Sequence, residues 1–163
     1  MLIDFTSLFE KQALLDEEIA KKHNISYATT RKRRTLSLLV EVGELANTTR
    51  CFKYWSNKGP EEKERVYDEF ADVLHFLLSL GIDIGVTNKS FEMETIELSL
   101  SELFIKMYDD ILTFLKDANE NNYKTCFKTL LNIASGLNMS KEDIFESYLK
   151  KLGVNYVRQE TNY

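Results

Sequence analysis

Apolar residues along this chain recur mostly at three- and four-residue steps, the period of a helix with one face toward a core. From Asp4 to about Lys22, Phe5, Leu8, Phe9, Leu15 and Ile19 keep that step and predict a first helix. Gln12 and Asp16 fall within or beside its apolar stripe. Poor helix formers from His23 to Thr30 predict a connector. Two denser segments follow, Arg34 to about Arg50 and Glu61 to about Gly81, joined by a turn around Gly59-Pro60. Each is apolar around a narrow polar stripe. The first stripe is Ser37, Glu41, Glu44 and Asn47; the second is Glu69, Asp72, His75 and Ser79. Residues three apart share a helix face, so each segment presents two carboxylates side by side. Helical patterns also run from Phe91 to about Ala118 and from Tyr123 to Leu137. Ser140-Lys141-Glu142-Asp143 has the form of a capping box that opens a last helix through Leu152. Residues Gly153 to Tyr163 then form a short tail, mobile unless tied down. Together these elements predict an all-α helical bundle.

Composition agrees with that expectation. One proline and six glycines in 163 residues favour long helices, and the length suits a single domain over residues 1–163. A net charge of −5 argues against DNA or RNA binding. No segment offers an apolar run long enough to span a membrane. Met1-Leu2-Ile3-Asp4 lacks the basic start and apolar run of a signal peptide. Cys51 and Cys126 have no metal-ligand spacing, and two free thiols fit a reducing cytoplasm.

The distribution of charge adds the chemistry. No Lys or Arg lies between Arg34 and Arg50, or between Arg65 and Lys89, so the paired acids are read as lacking basic partners on their own helices. An unpaired buried carboxylate is costly. If the two stripes face each other, four acids meet, and the cluster either raises its pKa values or collects a hard divalent cation. The solvent face of an amphipathic helix fits the same spacing. Mg²⁺ takes oxygen ligands and binds substrate phosphates, which makes phosphoryl chemistry the natural reaction class. Asp72-x-x-His75 hints at a di-iron bundle, but that site wants two Glu-x-x-His motifs and the only other histidine is His23. The run Arg31-Lys32-Arg33-Arg34 reads as a solvated basic stretch. Between Arg50 and Lys58 the chain places Lys53 and its only tryptophan, Trp55, directly after the first acids. There a ring can stack a base and Lys53 or Lys58 can meet a phosphate, or the segment simply caps the helix.

With these residues in view the chain resembles the dimeric, all-α dUTP pyrophosphatases. Glu41-Val42-Gly43-Glu44-Leu45-Ala46-Asn47, followed by Arg50 and Phe52-Lys53-Tyr54-Trp55-Ser56, is similar to their first motif. Asp68-Glu69-Phe70-Ala71-Asp72-Val73-Leu74-His75-Phe76 resembles their second. Lys151, Asn155, Arg158, Gln159 and Tyr163 match their last motif, and Gln12-x-x-Leu15-Asp16 fits their opening helix. Leu152 and Asn162 depart from the pattern, which commonly has a polar residue and Gly there.

The resemblance implies a four-helix core of the all-α NTP pyrophosphatase type, a variable segment at about 87–138, and hydrolysis of dUTP, and generally dUDP, to dUMP. It implies Mg²⁺ on Glu41, Glu44, Glu69 and Asp72, with Asn155 beside the cluster and Glu44 positioning or deprotonating the attacking water. It implies phosphate contacts from Lys151, Arg158 and Tyr163 as the tail closes, with Lys53 and Lys58 as further candidates. Gln12, Asp16, Trp55 and His75 would line the nucleoside pocket, and the protein would be a homodimer in the cytoplasm. Two other readings stay open. One is a sister pyrophosphatase with another base preference. The other is a protein whose main task is to bind a repressor of a mobile genetic element through the variable segment, as in a phage or low-GC bacterium.

Overall fold

The computed structural model describes residues 1–163. Six helices carry the chain, with one small antiparallel pair of strands. Strand β1 (Leu2–Asp4) precedes α1 (Thr6–His23), α2 (Tyr27–Thr49) and α3 (Lys63–Asp83). Strand β2 (Ser90–Glu92) follows, then α4 (Leu100–Lys116), α5 (Glu120–Gly136) and α6 (Lys141–Glu160). The expected all-α class is the one observed.

Helix starts follow local chemistry. Ser26, Ser99 and Ser140 each open a helix with a reciprocal capping box, to Thr29, Glu102 and Asp143 respectively. The first of these explains why α2 begins at Tyr27 rather than near Arg34: the cap lies inside the stretch read as a connector. Helix α1 ends at Asn24 and α2 at Arg50, both left-handed, and Asn tolerates that conformation better than most residues. Arg50 is held there by bonds from its guanidinium to Ser56 Oγ (2.8 Å) and to the Lys58 carbonyl (3.4 Å).

Three boundaries differ from expectation for physical reasons. Phe91 to Ser99 is not helical: residues 90–92 pair with β1 in the register Leu2 to Glu92, Ile3 to Phe91 and Asp4 to Ser90. That pairing aims Phe91 into an aromatic cluster, stacked on Phe127 at 3.9 Å and near Phe5 and Phe9. The apolar residue that mimicked helix periodicity is a strand residue facing the core. The last helix passes through Gly153 to Glu160, so residues 153–160 are helical rather than an irregular tail. The run Arg31 to Arg34 is helical too, and half of it is engaged. Arg31 Nε and Arg34 Nη2 both lie 2.8 Å from Asp83 Oδ2, at the end of α3.

Helix α3 is the axis. It packs against α1, α2, α5 and α6, and twelve of its residues are buried. Helices α4 and α5 pack on each other and reach back to α2 and α3; Tyr108 of α4 donates to the Leu39 carbonyl at 2.9 Å. Tyr123 of α5 is fully buried and donates to the Leu77 carbonyl at 2.7 Å. Helices α1, α2 and α6 surround the polar stripe of α3, and the candidate site lies among them.

Candidate active site

The two polar stripes do face each other. Glu41 of α2 meets Glu69 and Asp72 of α3, with ligand atoms all within 4.8 Å of one another. Glu69 is buried and Glu41 and Asp72 are half-buried. Glu44, one turn past Glu41, is exposed at the edge of the group. Three acids therefore make the close cluster and the fourth borders it.

Two cations approach the cluster, and the first corrects the expectation that the acids lack a basic partner on their own helices. Arg65 pairs with Glu69 one turn along the same helix, an i,i+4 contact the sequence already contained. Lys151 of α6 is buried and donates to Asp72 Oδ2 at 2.8 Å and Asp68 Oδ1 at 2.9 Å. Glu41 has no cationic partner. Its Oε2 and the Oε2 of Glu69 are buried without any hydrogen-bond partner. Burial pushes the Glu41 carboxyl up to about 8, aided by a hydrogen bond shared with Glu44 and by the charges of Asp72, Glu44 and Glu69. Burial raises Glu69 and Asp72 as well, although Arg65 and Lys151 oppose it.

The chemistry of this donor set fits a hard divalent cation. All donors are carboxylate oxygens, two are orphaned and buried, and local positive charge is insufficient. Glu41, Glu69 and Asp72 would hold such an ion, with Glu44 at the rim. The arrangement does not fit a di-iron centre. His75 is buried with Nε2 3.4 Å from the Tyr148 carbonyl, and its ring stacks on Tyr148 at 4.2 Å. Burial lowers its pKa to about 4, so the imidazole is neutral.

His75 leads into a second polar arrangement. Tyr148 hydroxyl donates to Gln12 Oε1 at 3.0 Å, Gln12 Nε2 donates to Asp16 Oδ1 at 2.9 Å, and Tyr27 hydroxyl donates to Asp16 Oδ2 at 2.9 Å. Tyr148 thus joins His75 to Gln12 and Asp16, and Tyr27 closes the other side of Asp16; the sequence reading missed both tyrosines. Tyr27 and Tyr148 lie near Asp16 only in three dimensions, and nothing in their local pattern marks them.

The remaining candidates divide by position. On α6, Tyr148, Lys151, Asn155 and Arg158 follow steps of three and four and share one face. The positive charge of Arg158 reaches Asp72 and favours its ionised form, while its guanidinium lies 4.7 Å from the centre of the Tyr163 ring. Tyr163 itself is exposed. Asn155 is half-buried one turn beyond Lys151. Trp55 is not brought to Gln12 and Asp16. It is exposed in the loop after α2, edge-on to Phe52 and Tyr54. Tyr27 and Arg34 mark the other end of α2, and from Arg34 to Thr49 the helix spans about 22 Å. Lys53 sits over the Phe52 ring and Lys58 is exposed in the same loop.

An all-α bundle with an oxygen-only acid cluster between two packed helices is an architecture suited to a divalent cation and a phosphorylated substrate. The sequence matches the dUTPase family over residues 4–163, essentially its whole length, and the chain belongs to that family. It is accordingly a dUTP diphosphatase, an all-α enzyme of nucleotide metabolism. No curated protein shows significant similarity to it. No helix is long and apolar enough to cross a membrane.

The carboxyl shifts set a pH dependence for the metal-free protein. Glu41 is raised from 4.5 to about 8, so through that interval the unfolded chain ionises while the fold keeps its proton. Stability from this group is present at low pH and is lost as pH rises. His75, lowered from 6.5 to about 4, acts oppositely, losing stability as pH falls below 6.5. Between pH 6.5 and 8 only the carboxyl effect operates. The metal-free protein is expected to melt at a lower temperature at pH 8 than at pH 6.5, and Glu41→Gln to flatten that slope in thermal denaturation.

Proposed function

We propose that the enzyme is Mg²⁺-dependent and converts dUTP, and also dUDP, to dUMP. The observation that carries this reading is the pair of orphaned buried oxygens, Glu41 Oε2 and Glu69 Oε2, facing Asp72 with too little positive charge to match them. When bound, Mg²⁺ would supply Lewis acidity and neutralise charge on the phosphate chain. Glu41, Glu69 and Asp72 would hold the ion, and Asn155, on the α6 face shared with Lys151, would be a further oxygen donor. Glu44 is exposed beside the cluster and shares a hydrogen bond with Glu41; once Glu41 gives up its proton, the Glu44 carboxylate would orient a water and accept its proton.

Lys151 has three donors, and Asp72 and Asp68 take two. The third is left for a phosphate oxygen. Arg158, carrying the Tyr163 ring against its guanidinium, brings a second cation along the same face. Gln12, Asp16 and the neutral His75 form the nucleoside end. Their shared hydrogen-bond chain keeps these side chains in place before substrate arrives.

Glu44→Gln is expected to leave thermal unfolding unchanged and to lower kcat for dUTP at least about 10²-fold, the scale of a positioned general base. Chelation should abolish turnover of both dUTP and dUDP, and added Mg²⁺ should restore it. Turnover in chelator, or by Glu44→Gln at the wild-type rate, contradicts the mechanism. A panel of deoxynucleoside triphosphates measures base preference in the same assay, and preferred hydrolysis of dCTP would contradict the uracil assignment.

The enzyme is further proposed to work as a homodimer. Leu36 and Val40, one turn apart on α2, and Ile105 and Leu112, two turns apart on α4, are exposed apolar residues on helices that pack together. A second copy would cover this face. Sedimentation should give a dimer for the wild type and a monomer for the Val40→Glu, Ile105→Glu double variant; a wild-type monomer would contradict the assignment.

A further inference from the structure

Mid-helix hydroxyls in this protein commonly bond back one turn. Thr30 donates to the Ser26 carbonyl, Thr35 to Arg31 and Ser37 to Arg33, all at 2.8–2.9 Å. Ser79 does not. Its side chain belongs to a residue only 3 % exposed, and its Oγ makes no hydrogen bond within 3.5 Å, although it stands close enough to Asp16 to favour that carboxylate's ionised form. A buried hydroxyl left unpaired is costly, so one that persists calls for an explanation.

Ser79 lies on the wall of a cavity of about 470 Å³ between α1, the start of α2 and the end of α3. That volume suits a small-molecule site. Asp16, Thr30 and Arg34 supply the other polar wall, and Ile19 and Ile82 part of the apolar one. Most of the polar wall is already engaged. Thr30 Oγ1 bonds the Ser26 carbonyl and accepts from Arg34 Nε at 2.9 Å. Arg34 Nη2 is bonded to the Tyr27 carbonyl and to Asp83. Asp16 has one donor on each oxygen, from Gln12 and Tyr27, and each oxygen keeps a further acceptor position. Of the polar groups on this wall, the Ser79 hydroxyl and the carboxylate of Asp16 stand side by side with hydrogen-bonding capacity to spare.

Position relates this cavity to the acid cluster. Ser79 is two helical turns beyond Asp72 on the same face of α3, about 10 Å along the axis. Arg34 and Thr30 likewise continue the face of α2 that carries Glu41. A nucleotide with its phosphates at the carboxylates would extend its nucleoside end toward this cavity.

We propose that Ser79 is a specificity-determining residue of the enzyme and that Tyr27 is a positioning residue acting through Asp16. The proposal rests on the reading of Gln12, Asp16 and His75 as the nucleoside end. Asp16, fixed by Tyr27 and Gln12, is an acceptor of set direction. Ser79 provides a hydroxyl able to donate to a carbonyl. Together they match a ring N–H beside a C=O, the imide edge of uracil. Cytosine presents a bare ring nitrogen at that place, and a fixed carboxylate opposes it. Without the Tyr27 hydroxyl, Asp16 loses one of the two bonds that orient it.

The test is steady-state kinetics of the full-length enzyme with Mg²⁺, for dUTP and dCTP, on Ser79→Ala, Tyr27→Phe and Asp16→Asn. Ser79→Ala is expected to raise KM for dUTP about tenfold, the loss of roughly one hydrogen bond, with the effect on KM rather than kcat. Ser79→Thr, which keeps a hydroxyl, should recover part of that loss. Tyr27→Phe should reduce the dUTP-to-dCTP ratio of kcat/KM about tenfold. KM for dUTP within twofold of wild type in Ser79→Ala, while Asp16→Asn raises it, overturns the Ser79 assignment and leaves the nucleoside end intact. An unchanged nucleotide preference in Tyr27→Phe overturns its positioning role. Unchanged KM in Asp16→Asn as well overturns the nucleoside reading together with this one.

Discussion

Three carboxylates crowd within 4.8 Å, and only two cationic side chains pair with them. Arg65 pairs with Glu69 and Lys151 with Asp72, which leaves Glu41 to hold its proton or to share a cation. Much of the surrounding structure serves to keep these groups together. Helix α3 is buried on nearly every side, so Glu69 and Asp72 are fixed on a helix clamped by four others. Helix α2 is anchored against α3 far from the acids, where Arg31 and Arg34 close on Asp83. Burial would raise Asp83, but the two guanidinium groups outweigh it and hold the carboxyl below its ordinary range. A matched cluster thus stands at one end of the helix pair and an undermatched one lies farther along it.

The same contrast appears between the acid cluster and the polar network around Asp16. Around Asp16 both carboxylate oxygens accept a hydrogen bond, and the links run through Tyr148, Gln12 and Tyr27 with ordinary hydrogen-bond lengths. A network so nearly complete is preorganised, with little reorganisation left for substrate to induce. At the carboxylates the opposite holds, and the chain itself leaves Glu41 without a cationic partner. Helix α6 spans both regions, since Tyr148 reaches Gln12 while Lys151, one turn on, reaches Asp72.

Much of this was legible in the sequence wherever the signal is local. The i,i+3 spacing of Glu41 with Glu44 and of Glu69 with Asp72 places each pair on one face, and the structure brings those faces together. Ser140 with Asp143 announced the start of α6. The Arg65–Glu69 pair is equally local, an i,i+4 step at the edge of the stretch that otherwise has no basic residue. Other features had no local signature. Lys151 lies 79 positions from Asp72, and Phe91 enters the core by pairing with β1 across most of the chain. Gly153 reads as a stop because glycine costs about 1 kcal/mol in a helix interior. The helix continues through it with Asn155, Tyr156 and Arg158 half-buried, a tertiary effect that propensity does not register.

The central claim is that the carboxylate cluster is short of positive charge by design of its packing and is completed by a divalent cation. Cation binding must then expel the proton that burial keeps on Glu41. Calorimetric titration of the metal-free protein with Mg²⁺ at pH 7, repeated in buffers of different ionisation enthalpy, counts that proton directly. Saturable binding with close to one proton released per protein, absent in Glu41→Gln, is the predicted result. Saturable binding with no proton released, or no binding at millimolar Mg²⁺, would contradict it.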